Sequence, residues 1–206
     1  MTILFIDSTY DITIGLLNET SGWLDFKRFF GQKASAIIQK ETYQLLLENN
    51  IQIKDLKGVV TVAGPGFYTG LRLSEGFADV FGFMNIPHYS FYSYDVPFWC
   101  GVSQGIWVTK AYRGEYFIYE WNHSEGEQKL LSAKEIHSYL EQTKNHYIHS
   151  ETSLDELLKA LSSSPSTLDL LKLNPLVIYK EVLKNKIKKE TFYFRAPEDE
   201  FRVSGK

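Results

Sequence analysis

The chain has a single cysteine, Cys100, among 206 residues. That excludes an internal disulfide and a multi-thiolate zinc site, and it fits a reducing compartment. An excess of positive charge is missing too. The formal net charge is −3, whereas a stand-alone nucleic-acid binder usually carries a basic footprint. No apolar run approaches the 18 residues needed to cross a bilayer. The run Ile3–Ile6 near the start is too short for a signal-peptide core, and no basic residue precedes it. A soluble, cytoplasmic protein is the expectation.

What is present is apolar and aromatic. Apolar residues make up 44% of the chain, enough for a core, which excludes wholesale disorder. The length fits one large domain or two small lobes. Aromatics reach 15%, with 14 Phe, 13 Tyr and 4 Trp. Most are expected to fill the core in place of Leu, with a partner surface as the other use for them. Six of them fall between Tyr89 and Trp99, close to the lobe boundary expected near residues 95–105.

Periodicity predicts a β-meander at the start: a buried strand Thr2–Ile6, an alternating strand Asp11–Leu17, and a third strand Trp23–Phe30. A helix follows over Gln32–Asn50, then a Val-rich strand Gly58–Ala63, a helix Leu71–Met84 and a short strand Pro87–Phe91. Ile106–Lys110 and Tyr116–Trp121 read as paired strands. Ser132–Gln142, Leu154–Leu161 and the stretch from Asn174-Pro175 to Leu183 read as helices, and Thr191–Pro197 has strand character.

Four features have chemical potential. Asp7-Ser8-Thr9 joins two strands; a carboxylate beside free backbone N–H groups can hold a metal-bound water and phosphate, but an Asp in a turn also caps its own backbone. Gly64-Pro-Gly-Phe-Tyr-Thr69-Gly70 lies between a strand and a helix. Such a loop can approach an anion, or its glycines can simply let the helix pack closely. It lacks the Gly-Lys-Ser/Thr ending of a Walker loop and the downstream acid of a dinucleotide fingerprint. His146-x-x-His149 has no carboxylate at a metal-binding spacing, so an exposed structural pair is expected rather than a metal site. Lys180–Lys189 holds five lysines, which can follow an RNA backbone or form a solvated helix face.

Taken together, Ile3-Leu-Phe-Ile-Asp7-Ser-Thr, Ile51-x-Ile-Lys-Asp55-Leu, Val59-Val60-x-Val62 and Gly64-Pro-Gly-Phe-Tyr-Thr69-Gly70-Leu-Arg72 resemble the TsaB (YeaZ) family. Its corresponding loop reads Gly-Pro-Gly-Ser-Phe-Thr-Gly-Val/Leu-Arg. Ala111-x-Arg113-x-Glu115-Tyr116 and Phe192-Tyr-Phe-Arg195 add fragmentary support. The resemblance implies an α/β, actin-like and ribonuclease H-like (ASKHA) two-lobe fold, with mixed sheets flanked by helices. The first lobe would span residues 1–100 and a smaller, divergent one residues 101–206. It further implies a non-catalytic subunit that binds and activates a TsaD-like catalytic subunit in forming threonylcarbamoyladenosine in tRNA. A TsaE-like ATPase joins them, the same helices can form a homodimer, and tRNA is contacted only indirectly.

By the same resemblance, Asp7, Ser8, Thr9, Gly64, Gly66, Thr69 and Gly70 form a vestigial or interface nucleotide site. No catalytic or metal-binding residue and no tightly held cofactor is expected, with ATP or ADP only at the partner interface. The partner surface is expected on the first two helices, at Ile37, Glu41, Gln44, Arg72, Glu75, Phe77, Asp79 and Val80. Departures from the family pattern are Phe67 in place of Ser, Lys110 in place of Asp, Ala34 in place of His, and the bulky Phe77 and Val80 on the second helix. An ATPase or phosphotransferase using Asp7 and the Gly64–Gly70 loop is the alternative, although no second phosphate-loop segment of the Asp-Gly-Gly-Thr type occurs. A third reading, direct RNA binding, rests on the lysine-rich segment.

Overall fold

The computed structural model describes residues 1–111, 114–123 and 125–194. Strand β1 (Thr2–Asp7) lies at the centre of the first sheet. It pairs antiparallel with β2 (Ile12–Asn18), which pairs with β3 (Gly22–Phe29). On its other side β1 runs parallel to β4 (Leu56–Val62), and β4 to β5 (His88–Phe91). The order is β3-β2-β1-β4-β5.

Both faces of this sheet are covered, which is why β1 is apolar throughout instead of alternating. Leu4 and Ile6 pack with Ile12, Ile14 and Leu16 beneath α1 (Ala34–Glu48) and α2 (Tyr68–Gly82). Ile3 and Phe5 point the other way, onto α5 (Thr167–Leu173) and the π-helical turn Ile178–Leu183.

The chain leaves β5 through the short α3 (Asp95–Trp99) and enters a second sheet. β6 (Gln104–Lys110), β7 (Glu115–Asn122) and β8 (Glu125–Ser132) form an antiparallel meander. After α4 (Ala133–Gln142), β9 (His146–Ile148) adds parallel to β6, giving the order β8-β7-β6-β9. One face of this sheet packs Ile106, Val108 and Ile118 against Ile136 of α4. The other face is aromatic, with Trp107, Phe117 and Trp121 meeting Tyr94. The Tyr89–Trp99 cluster is therefore divided. Phe91 and Trp99 pack on the first sheet and Tyr92 and Tyr94 on the second. No helix among the described residues is long and apolar enough to cross a membrane.

Several expected elements take another form. Leu154–Leu161 is no helix: Asp155 accepts the N–H groups of Leu157 and Leu158 and the Tyr116 hydroxyl, and only Lys159–Leu161 forms a 3₁₀ turn. A side chain that binds its own backbone in this way competes with helix propagation. Beyond Asn174-Pro175, the winding over Ile178–Leu183 is π rather than α. Its wider i→i+5 pitch leaves Ile178 and Leu183 both buried against the first sheet. Thr191–Phe194 forms no strand; of the expected Thr191–Pro197 segment, residues 195–197 lie outside the described residues, as do Arg113 and Arg195 of the family motifs. β8 and α5 carry no strong periodic signal and emerge only in the folded chain. β8 is an exposed edge whose ladder is supplied by β7.

Candidate functional site

The Asp7 turn and the glycine loop, 57 residues apart along the chain, do come together, and they do so by direct backbone packing. The Phe67 N–H donates to the Thr9 carbonyl at 2.9 Å, and Ser8 Oγ donates to the Gly70 carbonyl at 2.7 Å. A Cβ on Gly66 would lie 2.6 Å from Thr9 Cβ, and one on Gly70 would lie 1.8 Å from the Ser8 oxygen. The glycines at 66 and 70 thus seat the start of α2 on the turn, the close-packing role that sequence left open. Gly64 serves the same end. Its φ is +112°, and a Cβ there would press within 2.8 Å of the Phe192 carbonyl. Phe192 in turn donates its N–H to Ala63 at 2.8 Å, so the returning chain straps the loop. Thr69 and Phe67 are the exposed positions of this loop.

The Asp7 carboxylate is completely buried. Its Oδ1 accepts the Thr9 N–H at 2.9 Å and the Thr9 hydroxyl at 2.7 Å. From the second sheet unit, His149 reaches across. Its Nε2 lies 2.8 Å from Thr9 Oγ1 and 2.9 Å from Asp7 Oδ2. One ring nitrogen is shared between two oxygens, so the Oδ2 contact is electrostatic and not a well-aligned hydrogen bond. The far nitrogen, Nδ1, lies 3.1 Å from Ser93 Oγ. Burial pushes the Asp7 carboxyl up, but the nearby His149 imidazole and the hydrogen bonds from Thr9 outweigh it, and its pKa falls below the ordinary 3.8.

Tyr10 completes the junction. Its hydroxyl sits 2.5 Å from Thr109 Oγ1 and donates to the Lys110 carbonyl at 2.9 Å. Its ring packs on Phe67 and on His149, and burial raises its pKa. Asp7, His149 and Ser93 have the composition of a nucleophilic triad. All three are inaccessible to solvent. Held at these contacts, the buried arrangement joins the two sheet units. This corrects the expectation for the histidine pair. His149 is fully buried and His146 half-buried, its Nε2 3.0 Å from Thr143 Oγ1. Nothing local in the sequence flags His149, Ser93 or Tyr10, because their partners lie 56 to 140 residues away. Among the described residues no group of three or more His, Cys, Asp or Glu side chains could hold a metal ion.

The residues expected at a partner surface divide into two groups. Phe77 and Val80 line a cavity of about 200 Å³ between α1 and α2, with Tyr43, Leu46 and Met84. Around it lies an exposed apolar face: Val80 is 55% exposed, Leu47 52%, Met84 50% and Phe83 91%. Phe81, by contrast, is buried beneath Phe77. Gln44 is exposed and bonds Glu48, Glu41 is half-buried beside Lys40, and Ile37 packs on the core under α1.

Arg72, Glu75 and Asp79 form a separate polar group. Arg72 pairs with Glu75 at 3.2 Å and lies over the rings of Tyr68 and Tyr193. Asp79 accepts from His88 Nδ1 at 2.9 Å and lies 3.6 Å from Lys188. Sequence reasoning did not single out Tyr43, Leu47, Phe83 or Met84 for this surface. The i, i+4 spacings of Tyr43 with Leu47 and of Val80 with Met84 were the available signal.

No protein-family model matches the chain. Over 89 residues it is 32% identical to the tRNA threonylcarbamoyladenosine biosynthesis protein TsaB of Bacillus subtilis. That match spans 42% of this chain and 39% of the Bacillus protein. Two solved structures from Pseudomonas aeruginosa share the fold. One is YeaZ, with a TM-score of 0.62, 14% identity, and coverage of 91% of this chain and 95% of that one. The other is an uncharacterized protein with similarity to peptidase YEAZ, with a TM-score of 0.64, 14% identity, and coverage of 94% and 99%. The fold is thus of the expected actin-like, ASKHA type, with mixed sheets flanked by helices. In sequence over part of its length the chain is similar to TsaB of Bacillus subtilis, and in fold over nearly all of it to YeaZ of Pseudomonas aeruginosa.

Proposed function

We propose that this chain is a non-catalytic subunit in the formation of threonylcarbamoyladenosine in tRNA, and that it docks on a TsaD-like catalytic subunit through α1 and α2. The observation that supports this reading is the exposed apolar face of Leu47, Val80, Phe83 and Met84 around the α1–α2 cavity. Large apolar side chains left exposed on neighbouring helices are a usual mark of a protein partner. The same face would serve a homodimer when the partner is absent, and a TsaE-like ATPase would join the pair. We place any ATP or ADP at the subunit boundary, because Asp7, Ser8 and Thr9 are buried under α2 and His149.

The test is co-purification. Tagged chain should capture the TsaD-like protein of its own cell, Val80→Glu with Met84→Glu should abolish capture, and depletion should lower the modified nucleoside measured by mass spectrometry. Unchanged capture by the double variant would refute the face. An unchanged nucleoside level would refute the function. ATP hydrolysis by the isolated chain that is lost in Asp7→Asn would favour the phosphotransferase alternative instead.

A further inference from the structure

On the side of the molecule built by α5 and the π-helical turn, charge is concentrated. Residues 172–189 contain six lysines and one glutamate, in a chain of net charge −3. These lysines stand on a fixed backbone. Ile178 and Val182 are fully buried, and the Tyr179 hydroxyl donates to the carbonyls of Met1 and Leu17 at 2.7 and 2.8 Å. Farther on, Ser90 accepts the Lys189 N–H and donates to the Lys189 carbonyl. Lys172, Lys184 and Lys186 are exposed, and among the described residues no carboxylate lies within ion-pair distance of them. Lys180 lies 3.3 Å from its neighbour Glu181.

Two open cavities adjoin along this edge and share Leu176 and Lys180. The first, of about 730 Å³, has Trp99, Pro175 and Leu176 in its wall together with Ser21 and Asn174. The second, of about 560 Å³, runs between Tyr179 and Lys184; its one carboxylate, Glu19, lies 4.0 Å from the N-terminal ammonium. The first cavity is large enough for a planar base and offers an aromatic wall, while the edge of the second supplies cations for a backbone. An acidic peptide would use the lysines but not the aromatic wall. Stacking surface beside a line of cations is the requirement of unpaired nucleic acid.

We propose that this trough binds single-stranded RNA, with an unpaired base entering beside Trp99 and Leu176 and the following phosphates along Lys180, Lys184 and Lys186. The choice of RNA rests on the tRNA role proposed above, and it gives the direct contact of the third sequence reading a defined place beside an aromatic wall.

Fluorescence anisotropy on the full chain, with no partner present, tests this with a labelled stem–loop RNA, a blunt duplex of the same stem, and a poly-glutamate peptide. Binding of the stem–loop should weaken steeply with salt. Changing Lys180, Lys184 and Lys186 together to Gln should lower the log–log salt slope by about 2, at roughly 0.7 per lost phosphate contact. Leu176→Glu, on an exposed position, should weaken the stem–loop at least about fivefold, within the ~1–3 kcal/mol range of a stacked base, and leave the melting temperature unchanged. Equal affinity for the duplex, equal retention of poly-glutamate, or an unaltered slope in the lysine variant would each overturn the proposal. Because no partner is used, RNA binding and TsaD-like capture can fail separately.

Discussion

The junction around Asp7 and the face formed by α1 and α2 are opposites within one molecule. At the junction, polar groups are completely buried and held by partners from distant parts of the chain. On the helical face, apolar groups stand exposed to water. Burying a charge is tolerable only when it is paired and hydrogen-bonded, and Asp7 has Thr9 and His149 for that purpose. Exposing Phe83 and Val80 gains the free monomer nothing. The junction thus serves the fold of this chain, and the helical face is where the partner proposed above would dock.

That contrast can be broken by mutation, beginning where the effect is largest. His149→Ala leaves the Asp7 carboxylate buried without its cross-sheet partner, and denaturant unfolding should show a loss of about 3–5 kcal/mol. Equal stability of variant and parent would mean that the pair does not hold the sheet units together. Gly70→Ala should follow. Its Cβ would fall on the Ser8 carbonyl, and overpacking of this kind costs about 1–3 kcal/mol or more. A variant as stable as the parent would show that α2 can lift from the turn without penalty.

Acid sharpens the same comparison. The Asp7 pKa in the folded protein is depressed below 3.8. Its stabilising contribution is therefore complete above the unfolded value and is lost as pH falls through the folded one. Unfolding followed below about pH 4 should show a steeper loss of stability in the parent than in Asp7→Asn; parallel curves would refute the assignment. The smallest effect is expected on the helical face. Val80→Glu should change folding stability by no more than about 0.5 kcal/mol, while abolishing partner capture. A large drop in melting temperature would instead place Val80 in the core.

The strands of the first sheet were legible because their signal is local. Ile3–Ile6 is too apolar to face water on either side, and Ile12, Ile14 and Leu16 alternate with the period of a strand, although β2 is buried on both faces. The glycine loop was legible for a similar reason, since a loop of three glycines and a proline between strand and helix announces close packing. Its purpose was not. Whether Gly66 and Gly70 make room for a ligand or for Ser8 and Thr9 depends on what lies opposite, and that is set by the return of β1 and β2 beneath α2. His149 illustrates the limit most clearly. Read in sequence, it is half of a His-x-x-His pair at the surface; in the fold it is a buried partner of Asp7, because β9 pairs parallel to β6 and ends against the first sheet unit.

By itself, then, the sequence determined the periodic elements, the loop that ties β4 to α2, and the family resemblance those segments carry. Periodicity and turn chemistry act over a few residues, so they leave a local record. The tertiary structure alone decided that Asp7 faces an imidazole, that Phe81 is core while Val80 and Phe83 are surface, and that Lys180 and Lys184 line open cavities. Each of these depends on contacts between residues far apart in the chain, or on which side of a helix is left uncovered, and neither is written in the order of neighbours.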